Sequence, residues 1–392
     1  MDRGTRIALA GLAALAVAMG IGRFAFTPIL PMMLEDGALD VAQGAGLASA
    51  NYLGYLAGAV WLSTPAAARR LPGASASIRG GLGLIAAVTA AMALDAGVAV
   101  WSELRFAAGV ASAVVLVQTS SWCLERLAPL VAGARGTPPR PLLPGVLFAG
   151  VGAGLVAAGV ACVLLMGARA HASSAWAALG ALAFVVTALV WPVFAGDAAA
   201  AAAPRPRGRW RWRELRLVLA YGAYGFGYIV PATFLPVMAR DIIPDPAVFG
   251  WAWPAFGAAA VASTLGVSKL AARYGHRRAW IGSHFVMAAG VAAPVAWPGL
   301  GGIALAALCV GGTFVVITML GLQVARAAAA QDASVDAARL MAAMTAAFAA
   351  GQIAGPLSVR ALVAAGGGFS GALLAAAAVL VAGAVLLVRA ER

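Results

Sequence analysis

The stretch that decides the fold is Gly20–Met33, GIGRFAFTPILPMM, and the chain carries it twice. Just past the midpoint, Gly225–Met238 reads GFGYIVPATFLPVM. Gly20 and Gly22 align with Gly225 and Gly227, and Leu30, Pro31 and Met33 align with Leu235, Pro236 and Met238. At the one charged position the copies differ, Arg23 against Tyr228. A shift of about half of the 392 residues is what a duplicated half-chain produces. Large duplicated halves mark transporter folds, whose sites lie between the repeats.

Composition places this pattern in a bilayer. Apolar residues make up 63% of the chain and charged ones 10%, with a mean hydropathy of +0.92, where soluble domains carry about a quarter charged residues. At about 20 apolar residues per crossing plus short loops, the length accommodates about twelve helices. The apolar runs are continuous rather than alternating, which excludes a β-barrel. The formal net charge of +13 does not point to nucleic acid, because the basic residues fall in short clusters between apolar runs rather than on one patch. Cys123, Cys162 and Cys309 lie within apolar runs, with no CxxC pair and no His/Cys cluster. No structural disulfide, metal or cofactor is therefore expected.

The first run, about 7–33, is too long for a signal peptide, contains Arg23 and leads into further spans, so it reads as the first crossing. Others are expected at about 43–68, up to about 95, 101–124, 142–166, 174–195, 214–239, 248–271, 279–297, 300–324, 339–363 and 371–388. The expected architecture is an all-α integral membrane protein with twelve transmembrane helices in two pseudo-symmetric six-helix bundles. These cover 1–195 and 214–392, joined by a polar linker at 196–213. In the linker Trp210 and Trp212 alternate with Arg209, Arg211 and Arg213, which suits anionic lipid headgroups. Alternate loops place about 22 basic residues on the side holding both termini, against about three (Arg169, Arg240 and Arg360) on the other. Glu35, Asp36, Asp40, Asp95, Asp241 and Asp245 collect on that second side. Both termini are thus expected in the cytoplasm. The Arg-, Ala- and Gly-rich composition suggests a bacterial inner membrane.

No catalytic set appears. His171, His276 and His284 are scattered, and nothing resembles a triad, a phosphate loop or a zinc-protease motif, so an enzyme is not expected. Arg23 is the most informative residue, because a guanidinium near mid-membrane costs several kcal/mol unless it is paired or wet. The alternative is that it snorkels to the outer surface, about ten residues away. Arg105, one turn into its helix beside Glu103, is explained equally by a local ion pair and by substrate binding. Asn51 and Tyr55 share a helix face at i and i+4. Tyr221, Tyr224 and Tyr228 share another, as cavity wall or as packing. Gln118, Gln323 and Gln352 are amides within helices, which either join helices or meet substrate. The Gly-rich run at 142–166 and Gly351, Gly355 and Pro356 suit closely packed helices, or a seam along which the halves slide.

With those residues in view, the chain resembles the major facilitator superfamily, and within it the YbfB/YjiJ-like branch. Besides Gly20–Met33, the resemblance is carried by LASANYLGYLAGA (Leu47–Ala59), YGAYGFGYIVPATFLPVMAR (Tyr221–Arg240), GWAWPAFG (Gly250–Gly257), GGTFVVITMLGLQ (Gly311–Gln323) and MTAAFAAGQIAGPL (Met344–Leu357). It implies a 6+6 helix fold with a central cavity and rocking-type alternating access. The superfamily's cytoplasmic loop signature survives between the eighth and ninth crossings as Arg273, Gly275, Arg277 and Arg278. Its acidic position is Ala272 and its leading glycine position Ser268, and after the second crossing only Arg69 and Arg70 hint at it. The antiporter Gly-Pro signature is absent from the fifth crossing; Gly355-Pro356 in the eleventh is similar.

The expectation is a secondary transporter of a small organic solute, bearing an anionic group if Arg23 faces it. Its substrate-binding set is Arg23, Asn51, Tyr55, Gln118, Tyr224, Tyr228 and Gln352. Coupling to protons or sodium would draw on Glu103, Arg105 or Glu125, or on a protonatable substrate. The partners expected are the solute, the coupling ion and the bilayer, with the protein as a monomer. The first alternative is a proton-coupled multidrug efflux pump. The distant one is a non-transporting receptor or scaffold, which would need a sizeable polar domain, whereas the longest polar stretch here is the linker.

Overall fold

Pro28 and Pro31 carry no amide hydrogen, so a helix through them loses two i→i−4 bonds, and the first crossing is irregular in the segment just before them. In the computed structural model, which describes residues 1–133, 138–195, 210–240, 251–332, 334–364 and 368–389, α1 (Arg3–Leu15) passes into nine residues of π-helix (Ala16–Phe24). It resumes as α2 (Phe26–Glu35). One continuous apolar run is therefore two α-helices around a π-helical centre. Such segments are rare and favour functional sites.

The rest of the first half comprises α3 (Val41–Leu62), the short α4 (Pro65–Arg70), α5 (Ala74–Ala91), α6 (Gly97–Ala132), α7 (Leu143–Gly167) and α8 (Ala172–Ala195). The second half comprises α9 (Trp212–Arg240), α10 (Ala252–Tyr274), α11 (His276–Ala296), α12 (Leu300–Gln331), α13 (Ala337–Ala364) and α14 (Gly368–Arg389). Among the described residues, ten helices are long and apolar enough to cross a membrane, counting α1 to α2 as one. α3 and α9 are of similar length, which is consistent with the twelve crossings expected. Their outer faces carry exposed Leu164, Phe184, Leu189 and Leu308, a surface that suits acyl chains and would aggregate in water. The linker at 196–209, Asp241 and Asp245, and the side chains of Leu235, Pro236, Met238, Arg240 and Arg360, lie outside the described residues.

Two helices outrun the apolar pattern. The sixth helix does not stop at Leu124 but continues through Glu125 and Arg126 to Ala132, ending where Gly133 adopts φ +73°. α12 continues through the Ala-rich 325–331 to Gln331. Hydropathy ends at the first charge, whereas Ala, Glu and Arg are strong helix formers and extend the backbone into water.

Packing repeats between the halves. The first crossing lies on α7, α3 on α6, and α5 on both α6 and α8. In the second half α9 lies on α13, α10 on α12, and α11 on both α12 and α14. The duplicated glycines mark the same crossing in each copy. A Cβ on Gly20 would overlap the backbone of Gly154 in α7, and one on Gly225 would overlap Phe348 in α13. The halves meet along two equivalent seams, α7 on α10 and α3 on α13.

Candidate functional site

The π-helical centre delivers Arg23 to the second of these seams. The side chain is 3% exposed, so it does not snorkel. Its Nη2 donates to Oε1 of Gln352 on α13, a bond that joins the halves. The guanidinium carbon lies 3.8 Å from the centroid of the Tyr55 ring and 5.4–5.8 Å from those of Phe24, Tyr52 and Phe348. Cation–π contacts contribute about 0.5–2 kcal/mol each when desolvated, but they do not neutralise the charge. Arg23 Nε and Nη1 and Gln352 Nε2 are buried without a hydrogen-bond partner. Unpartnered N–H donors thus stand around the guanidinium on both of its edges and on the amide beside it.

The backbone that presents Arg23 is held from outside. Arg105 on α6, also 3% exposed, donates through Nη1 to Gly22 O (3.1 Å) and through Nη2 to Arg23 O (3.0 Å). Asn51 Nδ2 donates to Arg105 O (2.9 Å) and reaches Gly22 O at 3.5 Å, and Ser112 Oγ donates to Ala18 O (2.7 Å). Phe26 and Trp176 flank the Arg105 guanidinium at 5.0 and 5.9 Å. Arg105 is therefore not in a local ion pair: Glu103 is exposed, and the guanidinium serves main-chain carbonyls instead.

Across the seam stands an aromatic wall. Tyr228 stacks on Phe314 (centroids 5.3 Å apart, 15° between planes), and Phe314 on Phe256 (5.0 Å, 19°). Phe348, one of the rings beside Arg23, lies 4.8 Å from Tyr224 and 6.3 Å from Tyr228. Phe24 meets Phe314 edge-on at 6.4 Å. The Tyr224 hydroxyl donates to Phe314 O (2.6 Å) and lies 3.2 Å from Thr318 Oγ1, which fixes it in the wall.

The structure thus brings Arg23, Asn51, Tyr55 and Gln352 together, with Tyr224 and Tyr228 in the adjoining wall. It does not bring Gln118 there. That residue is buried on α6, thirteen positions beyond Arg105 and so about 20 Å further along the helix axis. Glu125 is exposed in the added turns of α6. Of the expected loop residues Arg273, Gly275, Arg277 and Arg278, only Gly275 (φ +90°) stands between helices, with Arg273 in the last turn of α10 and Arg277 and Arg278 in the first turn of α11. Sequence reading missed Phe24, Tyr52, Phe314 and Phe348. Phe348 stands one turn before Gln352 on the same face, the spacing that identified Asn51 with Tyr55.

A family model described as "Uncharacterised MFS-type transporter YbfB" matches residues 15–388. A sequence search of curated proteins finds no match. Among solved structures, the human organic anion transporter MFSD10 (TETRAN) superposes with a TM-score of 0.70 at 13% identity, covering 99% of this chain and 100% of that one. The major facilitator superfamily transporter FucP in the outward conformation superposes with a TM-score of 0.72 at 15% identity, and a single-residue variant of the E. coli fucose:proton symporter FucP with 0.67 at 14%. Both FucP structures are covered completely, as is this chain. At these identities the likeness is one of fold.

Proposed function

The chain belongs to the YbfB-type family of the major facilitator superfamily, and on that footing we propose that it moves a small organic solute with an anionic group by alternating access. One observation carries the choice of charge. Arg23 is buried between the halves, no carboxylate is among its described partners, and two of its nitrogens and the Gln352 amide are unpartnered. A buried cation without a counter-ion is costly, and a carboxylate of the substrate would neutralise it while accepting from one edge of the guanidinium and from the Gln352 amide. Such a substrate would replace Gln352 Oε1 as a partner of Arg23 and so alter a contact that spans the seam. The units proposed to move are 1–195 and 214–392, with 196–213 between them. We place the protein in a bacterial inner membrane with both termini cytoplasmic, on the asymmetry of its basic loops. Glu103 and Glu125 are exposed, and the coupling ion is proposed to be a proton or sodium. Efflux of cationic drugs is disfavoured by the same unneutralised guanidinium.

The test is reconstitution into proteoliposomes. Saturable flux of a labelled organic monoanion is expected, and Arg23→Gln is expected to reduce it at least about tenfold through loss of a charge-assisted bond. Full flux in a normally inserted Arg23→Gln protein would remove Arg23 from the site.

A further inference from the structure

We infer that the substrate is an aromatic monocarboxylate, a single carboxylate carried on a flat ring, an assignment that rests on the anion-accepting role of Arg23 and narrows it. The charge count comes first. Two guanidiniums are buried near one another, but both terminal nitrogens of Arg105 are spent on the carbonyls of Gly22 and Arg23. One guanidinium is left with terminal donors to face a ligand. The second carboxylate of a dianion would therefore be buried with few donors to accept from, which is costly.

The polar complement comes next. The unpartnered nitrogens at and around Arg23 are its Nε and Nη1, Gln352 Nε2 and Arg105 Nε, all donors. The one unpartnered acceptor close by, Asn51 Oδ1, belongs to a side chain whose amide nitrogen is fixed on the main chain. A carboxylate only accepts, through two oxygens with about four lone-pair directions, and matches this set. A polyhydroxylated solute needs alternating donors and acceptors along its length, and of the rings beside Arg23 and in the wall, Phe24, Phe348, Phe314 and Phe256 offer neither.

The shape of that wall decides the body. From the Arg23 guanidinium the surface runs through Phe24 and Phe348 to Tyr228, Phe314 and Phe256, with successive planes of the last three only 15° and 19° apart. Near-parallel rings present flat faces and edges, against which another aromatic ring gains offset or edge contacts beyond its area of burial. The Tyr55 ring meanwhile covers one face of the guanidinium at 3.8 Å, which leaves its edge to receive the carboxylate.

The experiment measures binding to the full chain in nanodiscs, by thermal stabilisation and titration. The probes are phenylacetate, indole-3-acetate, the neutral isostere phenylacetamide, the polyhydroxy monoanion gluconate and the dianion phthalate. Phenylacetate and indole-3-acetate are expected to bind at least about tenfold tighter than each of the other three. Phe314→Leu should weaken phenylacetate while leaving gluconate unchanged, and Arg23→Lys should narrow the gap between phenylacetate and phenylacetamide. Gluconate or phthalate binding as tightly as phenylacetate would overturn the aromatic monocarboxylate while leaving the anion reading intact. Phenylacetamide matching phenylacetate, or no carboxylate binding at all, would overturn both. These outcomes come from the unaltered protein and do not depend on any variant folding.

Discussion

Arg23 and Arg105 are both buried guanidiniums, yet they do opposite things with their donors. Arg105 gives its terminal N–H groups to two adjacent backbone carbonyls, so its role is to hold the strand of backbone that presents Arg23. Arg105→Met keeps the volume and strands those carbonyls, each costing about 1–3 kcal/mol when buried and unpaired. A clear drop in thermal stability in detergent is expected, partly recovered by Arg105→Lys; an unchanged melting temperature would mean that the π-helical centre does not need this support. Arg23 was legible in the sequence because it is the lone charge in an apolar run, and Asn51 and Tyr55 because they share a face. Gln352 was not separable from Gln118. Both are amides in mid-helix, and which face of a helix meets the opposite half is a property of the packed bundle. The rings at 24, 314 and 348 were hidden for another reason, since an aromatic in an apolar run looks the same whether it faces a lipid or a ligand.

At the scale of elements, the first crossing departs most from what a hydropathy pattern conveys. Periodicity locates an apolar run but does not distinguish i→i−4 from i→i−5 bonding, so the π-helical centre was beyond it. The ends of elements were misjudged for the related reason that α6 and α12 persist past their apolar parts. One inter-element tie also sets an acid limit on stability. Asp36, in the turn after α2, accepts from Ala172 N (2.7 Å) and from His171 Nδ1 (2.9 Å) at the start of α8. Burial works against its ionisation, but the bonds from Ala172 and His171 outweigh it and hold its carboxyl below the ordinary 3.8. A carboxyl depressed on folding contributes stability above its unfolded-state value and loses it as pH falls through the folded one. Thermal melts from pH 7 downward should show Asp36→Asn less stable than wild type at neutrality, with the gap closing below about pH 4. A gap constant with pH would show that the Asp36 charge plays no part in tying α2 to α8.

At the scale of the whole molecule, the twofold plan was the most legible feature, because duplication leaves its trace in the chain itself. The seams refine it. Gly145, Gly152 and Gly159 of α7, seven residues apart, all face α10, whereas Gly150 and Gly154 face the first crossing. One helix thereby packs closely on its own half with one side and on the other half with another. The seam of α3 and α13 is tied by Arg339 Nε donating to Ser63 O (3.1 Å) at one end and by Arg23 with Gln352 in the middle. The central claim is that the guanidinium of Arg23, shared between the halves, awaits a carboxylate from the substrate. Gln352→Glu tests it most directly, because it places a carboxylate of the protein where the substrate's is proposed to bind. The account predicts an apo protein of higher thermal stability, through a buried ion pair, and saturable organic-anion flux in proteoliposomes at least about tenfold below wild type. Flux equal to wild type in a normally inserted Gln352→Glu protein would contradict it.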